Sequence, residues 1–171
     1  MSNEYIKFEN IEKILSDIGM KIISNKNILK LLYYNDTDVL FKSDLSQQNI
    51  LEILGKGSDP KKQQRIFKTA FNEDIVDIPH SELRFYIPSL NPENLYLSEV
   101  NVAFQLIIHN SIWELNDNKI RVFCLLNELL STLNGQDIRS IGCLKLIQPI
   151  RYFNWNSNFS GYQLILETRS R

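Results

Sequence analysis

Val100-Asn101-Val102-Ala103-Phe104-Gln105-Leu106-Ile107-Ile108-His109 decides the reading of this chain. The even positions from 100 to 108 are all large and apolar, and Asn101, Ala103 and Gln105 fall between them. A strand sends successive side chains to opposite faces, so this period of two predicts a long strand with one face on a core. A continuation is expected at Ile112-Trp113-Glu114-Leu115, bent at His109-Asn110-Ser111. The period then changes. After Asn116-Asp117-Asn118, read as turn and N-cap chemistry, apolar residues recur at Val122, Leu125, Leu126, Leu129, Leu130 and Leu133. That spacing lays one apolar stripe along a helix from Ile120 to Leu133. Gly135 follows where a left-handed residue would end the helix.

Working outward, two more strands are expected, Ile141 to Ile150 and Tyr162 to Thr168, forming a long C-terminal β-hairpin. Leu144, Leu146 and Ile150 share one face of the first, with Gln148 breaking the series, and Tyr162, Leu164 and Leu166 share one face of the second. Toward the N-terminus, Ile11, Leu15, Ile18 and Ile22, with Ile14 and Ile23 widening the stripe, predict a helix with Asn10 as its cap. Ser24-Asn25-Lys26-Asn27 interrupts it, and Ile28 to Leu32 resumes as a short second helix. Between these parts, residues 36 to 72 are the least periodic. Gly55 to Lys62 reads as an exposed loop, and Ile75, Val76, Ile78 and then Leu83, Phe85, Ile87 as short extended segments. Pro79 and Pro88 are expected to limit those segments, and Pro88 to Asn94 to form a second loop. The fold class is α+β: N-terminal helices, a mixed or antiparallel sheet with one amphipathic helix packed on it, and a long C-terminal hairpin.

The 171 residues fit a single domain, 1–171, with a helical part at 8–34, a loop-rich middle at 36–95 and a strand-helix-hairpin core at 96–168. Lys and Arg number 19 and Asp and Glu 20, so no overall positive charge favours tight phosphate binding. The chain holds 23 Leu, 22 Ile and 18 Asn but only 2 Ala, a bias that suggests an AT-rich coding genome such as those of low-GC bacteria and their phages. Met1-Ser2-Asn3-Glu4-Tyr5 lacks a cationic stretch followed by an apolar run, which argues against a signal peptide. Charges interrupt every apolar stretch well before the ~20 residues needed to span a bilayer, so a soluble protein without membrane contact is expected. Cys124 and Cys143 are expected as reduced thiols filling apolar space.

Catalytic patterns fare poorly. Gly55-Lys56-Gly57-Ser58 has a Lys after its first Gly and lacks the spacing by which a phosphate loop aims successive N–H groups. Asp117-Asn118-Lys119, with Glu114 upstream, has the D-x-K spacing of nuclease metal sites, but it falls where a helix must be capped. His80 and His109 have no partner at metal-ligand spacing, and no Ser stands in a nucleophile elbow. No catalytic residue, cofactor or metal is therefore expected. Two binding candidates remain. Lys56, Lys61, Lys62 and Arg65, with Lys68 beyond, form the basic cluster, a loop that could touch phosphates. Phe153, Trp155 and Phe159 crowd a polar hairpin tip, where they either fold back on their own domain or meet another subunit.

The order of Val100 to His109, Ile120 to Leu133 and Ile141 to Thr168, after N-terminal helices, resembles the tail-terminator, or tail-completion and neck, proteins of long-tailed bacteriophages. That resemblance implies a small α+β subunit of a homo-oligomeric ring, commonly a hexamer. Such a ring terminates the tail tube, joins it to the head connector and leaves a lumen through which DNA passes without sequence-specific binding. It implies contacts with neck, connector and tail-tube proteins, a place in the virion, and host cytoplasm as the site of assembly. The role is stoichiometric, with no catalytic residues to carry over. The long middle region, 36 to 95, departs from the family pattern. Two other readings stand beside it: an intracellular adaptor binding through its N-terminal helical hairpin, and a metal-dependent nuclease using Glu114 and Asp117.

Overall fold

The computed structural model describes residues 11–70, 77–93, 96–139 and 142–169. The proposed cap Asn10 and the segment at Ile75 and Val76 lie outside the described residues. Helix α1 (Ile11–Ser24) buries Ile14, Ile18 and Ile22 within the expected stripe, and Ile11, Leu15 and Ile23 flank them half-buried. Helix α2 (Lys26–Tyr33) begins at Asn25, whose side-chain oxygen accepts the N–H groups of Asn27 at 2.9 Å and Ile28 at 3.1 Å. The Asn25 amide also donates to Glu128 Oε2 and Thr132 Oγ1, both at 2.9 Å. One residue thus caps α2 and ties it to a distant helix. Asn25→Ala is expected to lower unfolding free energy by about 2 kcal/mol in urea titration. A loss under about 0.5 kcal/mol would mean that water replaces both roles.

The middle of the chain is far more ordered than its aperiodic sequence suggests. It holds a tight turn at Val39–Phe41, α3 (Gln47–Leu51), a wide helical turn at Glu52–Lys56 and α4 (Pro60–Gln63). It then supplies two strands, β1 (Ile66–Phe67) and β2 (Ser81–Glu93). β2 runs through Pro88 and Pro92, correcting the expectation that proline ends the segment and that a loop spans 88–94. The reason is the strand's position. β1 covers β2 only opposite Leu83 and Arg84, and farther along no strand among the described residues pairs with β2 on that side. Pro88 also falls in the register shift between Tyr86 and Ser89.

β2 pairs antiparallel with β3 (Tyr96–His109), the strand read from the alternating stretch, extended at its start. The expected continuation past His109 is instead a tight turn at Asn110–Ile112, and Glu114 makes only an isolated bridge to Ile120. Asp117 and Asn118 have φ of 61° and 57°, so these residues build a reversal rather than a helix cap. Helix α5 (Arg121–Leu133) starts from Ile120 with no side-chain cap. It buries Val122, Leu125, Leu126, Leu129 and Leu133, and Gly135 ends it at φ 76° as expected.

After β4 (Asp137–Ile138), β5 (Gly142–Leu146) stops short of the expected Ile150, and β6 (Arg151–Asn154) begins anew. Pro149, which has no N–H, lies in the gap. The last strand, β7 (Phe159–Arg169), pairs with β6 through residues 160–163 and with β5 through 166–168. The partner of the C-terminal strand is therefore two short strands. The sheet order is β1-β2-β3-β7-β5-β4, with β6 also on β7, and only β1–β2 is parallel. This is a curled mixed sheet with helices, an α+β fold. The three longer helices share one core with Leu83, Phe85, Val102, Phe104, Leu106, Leu164 and Leu166, all on a single sheet face.

Candidate functional site

The opposite sheet face holds the chain's concentrated polar chemistry. Residues at positions 82 and 84 point away from the helices because Leu83 and Phe85 point toward them. His80, Glu82 and Arg84 are nevertheless almost wholly buried, at 2%, 3% and 0% exposure. Arg84 donates twice to Glu82 Oε2, from Nε at 3.0 Å and Nη2 at 2.7 Å. Glu82 Oε1 faces His80 Nε2 at 2.9 Å, and His80 Nδ1 lies 2.6 Å from the Ile78 carbonyl. Both ring nitrogens thus face oxygen atoms.

Aromatic rings close the site. The Arg84 guanidinium lies between Phe67 of β1, 5.3 Å from the ring centre, and Trp155 of the β6–β7 turn, at 4.9 Å. Arg84 Nη1 has no hydrogen-bond partner, and the two ring faces supply electrostatic attraction in place of an oxygen. Phe159 is fully buried between the His80 and His109 rings, 4.9 Å from each. His109 Nδ1 accepts from the Ser111 N–H at 3.2 Å, which leaves Nε2 facing Asp77 at 3.9 Å. Asn110 and Asp77 hold the turn itself: Asn110 donates to the Ser157 and Asn158 carbonyls, and Asn158 Nδ2 donates to Asp77 at 2.7 Å.

Burial would push the Glu82 carboxyl up, but His80 and Arg84 outweigh it, so the carboxyl sits below its ordinary value of 4.5. A carboxylate depressed in the folded state stabilises fully above its unfolded value, and that contribution fades as pH falls through the folded one. Unfolding free energy is therefore expected to drop on acidification below pH 4.5. Urea titrations at pH 6, 4 and 3 check this, and Glu82→Gln should flatten the profile; an unchanged profile in that variant overturns the assignment.

These placements sort the sequence candidates. Phe159 faces its own interior, while Phe153 and Trp155 are half-buried, so only the latter two retain surface for a neighbour. Trp155→Ala is expected to lower the melting temperature of the monomer, by about 2 kcal/mol of stability, because Trp155 covers Arg84. A variant that melts unchanged would place the ring's contribution elsewhere. In the basic cluster Lys56, Lys61 and Lys62 are exposed, and Lys62 pairs with Asp59 at 3.4 Å. Arg65 is instead half-buried at the entry to β1. Its N–H donates to Ile53 O and its carbonyl accepts from Leu83 N, and burial pushes its pKa down. Glu114 and Asp117 flank the reversal before α5, and no three His, Cys, Asp or Glu side chains gather as a metal site among the described residues. Cys124 and Cys143 are free and half-buried, and burial pushes the Cys124 thiol up.

Sequence reasoning missed Arg84 and Arg121. For Arg84 a signal existed, since Glu82 and Arg84, two apart on a strand, must share a face. Arg121 had none: four of its five partners are backbone carbonyls 85 to 90 positions away. No helix among the described residues is long and apolar enough to cross a membrane. The sequence pattern of one protein family, YomW, matches residues 25–168, and the chain belongs to that family. YomW is the name of a gene product of an SPBc2-like Bacillus phage, which makes the chain phage-associated. No curated protein matches the chain.

Proposed function

We propose that this member of the YomW family is a structural component of a phage neck or tail, a ring subunit that terminates the tail tube and joins it to the head connector. The observation that carries the reading is the set of large apolar side chains left at the surface of a well-packed molecule. Phe41 is 75% exposed, Tyr152 57% and Phe123 48%. Exposed aromatics rimmed by polar residues suit a surface that another subunit covers. The near-neutral charge suits a wall past which DNA slides, and the role is stoichiometric, without a chemical step. The chain then acts in the virion, after assembly in the host cytoplasm.

Light scattering behind size-exclusion chromatography tests this directly. The expected result is a concentration-dependent oligomer whose electron micrographs show rings with an open centre; a monomer at every concentration overturns it. One observation favours the adaptor reading. Met20 is 66% exposed on α1, beside an open groove of about 250 Å³ lined by Asp17, Lys21, Ser24, Ile138 and Arg139. A persistent monomer that loses partner capture on Met20→Asp would support that alternative.

A further inference from the structure

We propose that Asn134-Gly135, the one Asn-Gly pair in the chain, is a site of spontaneous backbone modification, and that the docking of β5 gates it. Glycine stands here for a structural reason. It closes α5 at a φ of 76°, a conformation that residues with a Cβ resist. The same choice has a chemical consequence, because no Cβ shields the glycine nitrogen from the amide carbon before it. On losing its proton, the Gly135 nitrogen can bond to Asn134 Cγ. The Cγ–Nδ2 bond then breaks, ammonia leaves with the proton, and a five-membered imide remains. Water opens either imide carbonyl, leaving aspartate or an isoaspartate whose main chain is one methylene longer.

Solvent reaches both residues, and nothing beyond its chain neighbours lies within 4 Å of a Cβ placed on Gly135, so no side chain covers the pair. Protection comes from β5 instead. The attacking group, Gly135 N–H, donates to Leu144 O at 2.7 Å, and Asn134 Oδ1 accepts from Leu146 N at 2.8 Å. The ψ of Asn134, 122°, turns Gly135 N away from Cγ, so ring closure needs rotation about the Asn134 Cα–C bond. While both hydrogen bonds hold the dipeptide along β5, that rotation is blocked.

The hold is short. Leu144 N donates to Gln136 O at 3.3 Å, and the β4–β5 ladder adds Asp137 with Cys143 and Ile138 with Gly142. On its other side β5 meets β7 only through residues 144–146. A strand with so few partners opens locally, without global unfolding. Modification then proceeds at its intrinsic rate multiplied by the fraction of chains in which β5 is open. The two products act differently on the same strand. Aspartate still offers an oxygen to Leu146 N, whereas isoaspartate lengthens the main chain between α5 and β4 and displaces both hydrogen bonds.

Peptide mapping of the full-length chain held at pH 8 tests this. The amide-to-acid mass change and isoaspartate at position 134 are read over days, with amide exchange of Leu146 followed alongside. Conversion in the native chain is expected to be about tenfold or more slower than in concentrated urea. Below the unfolding transition it should rise with Leu146 exchange as urea is added. Gly135→Ala should slow conversion even in the unfolded chain, because its methyl group hinders the nitrogen. Chains carrying isoaspartate should melt below wild type, and Asn134→Asp, which keeps an acceptor for Leu146 N, close to it. A native rate equal to the unfolded one, or one that stays level while Leu146 exchange rises, overturns the gating by β5. An unfolded chain that stays unmodified at Asn134 overturns the site itself.

Discussion

Arg121→Met is expected to lower unfolding free energy by about 4 kcal/mol or more, much of what a domain of this size possesses. Arg121 has no exposed surface, yet every guanidinium donor is used. Nε donates to Ile112 O at 2.8 Å, Nη1 to Leu31 O and Tyr34 O at 3.1 and 2.7 Å, and Nη2 to Asn35 O and Asp36 O at 3.0 and 2.9 Å. Four of these carbonyls belong to the end of α2 and the turn after it, where a helix leaves its last oxygens without partners and a cation is favoured. The fifth precedes α5. A single side chain therefore fastens two helices and closes the loop between β3 and α5. Burial pushes its pKa down to about 10, opposed by Asp36, and the group keeps its charge at neutral pH. Met fills the volume but leaves those carbonyls without donors. Lys, a point charge on a flexible stem, cannot reach five oxygens at once and should recover less than half of the loss. Urea titration reads the effect, and a loss below about 1 kcal/mol would mean that the carbonyls find other partners.

Gly161→Ala is the second large effect, about 3 kcal/mol or more. Gly161 stands opposite Ile107 on β3 and Phe153 on β6, where the sheet curls under the aromatic site. A Cβ there would overlap the Leu106 carbonyl oxygen and press on the backbone of Leu106 and Ile107. Backbone cannot rotate aside as a side chain can, so β7 must shift from β3. Hydrogen exchange should show lost protection in residues 159–163 beyond any global loss, and calorimetry a lower melting temperature. A variant with wild-type stability would mean that the two strands separate without cost. Gly135 offers a contrast: nothing lies within 4 Å of a Cβ there, so only its φ of 76° resists substitution.

The buried polar site was only partly legible in the sequence. His80 and Glu82 could be seen as neighbours, and Glu82 with Arg84 as sharing a strand face. Nothing local announced that Phe67 and Trp155, almost ninety positions apart, would close over Arg84 from either side. Nor could spacing decide among the aromatics of the hairpin tip. Phe159 turned inward because strand register set it beside His109, while Tyr152, on the opposite face of β6, stayed in solvent. The abundance of Asn has a structural use beyond coding bias. Asn25, Asn110, Asn134 and Asn156 each bond backbone or distant side chains at the ends of elements, which Asn does with its short two-way amide.

By itself the sequence determined the α+β class, β3, α5 and the left-handed close at Gly135. Periodicity and a helix stop are written within a dozen neighbouring residues, and burial of one face enforces them wherever the segment lies. Tertiary structure alone decided that β2 continues through two prolines, that the expected strand at 141–150 yields two short partners, and that Asp117 and Asn118 reverse the chain instead of capping α5. It also decided which arginines are buried. Each of these depends on which edge is covered and which carbonyl lacks a donor, and those facts exist only once distant segments have met.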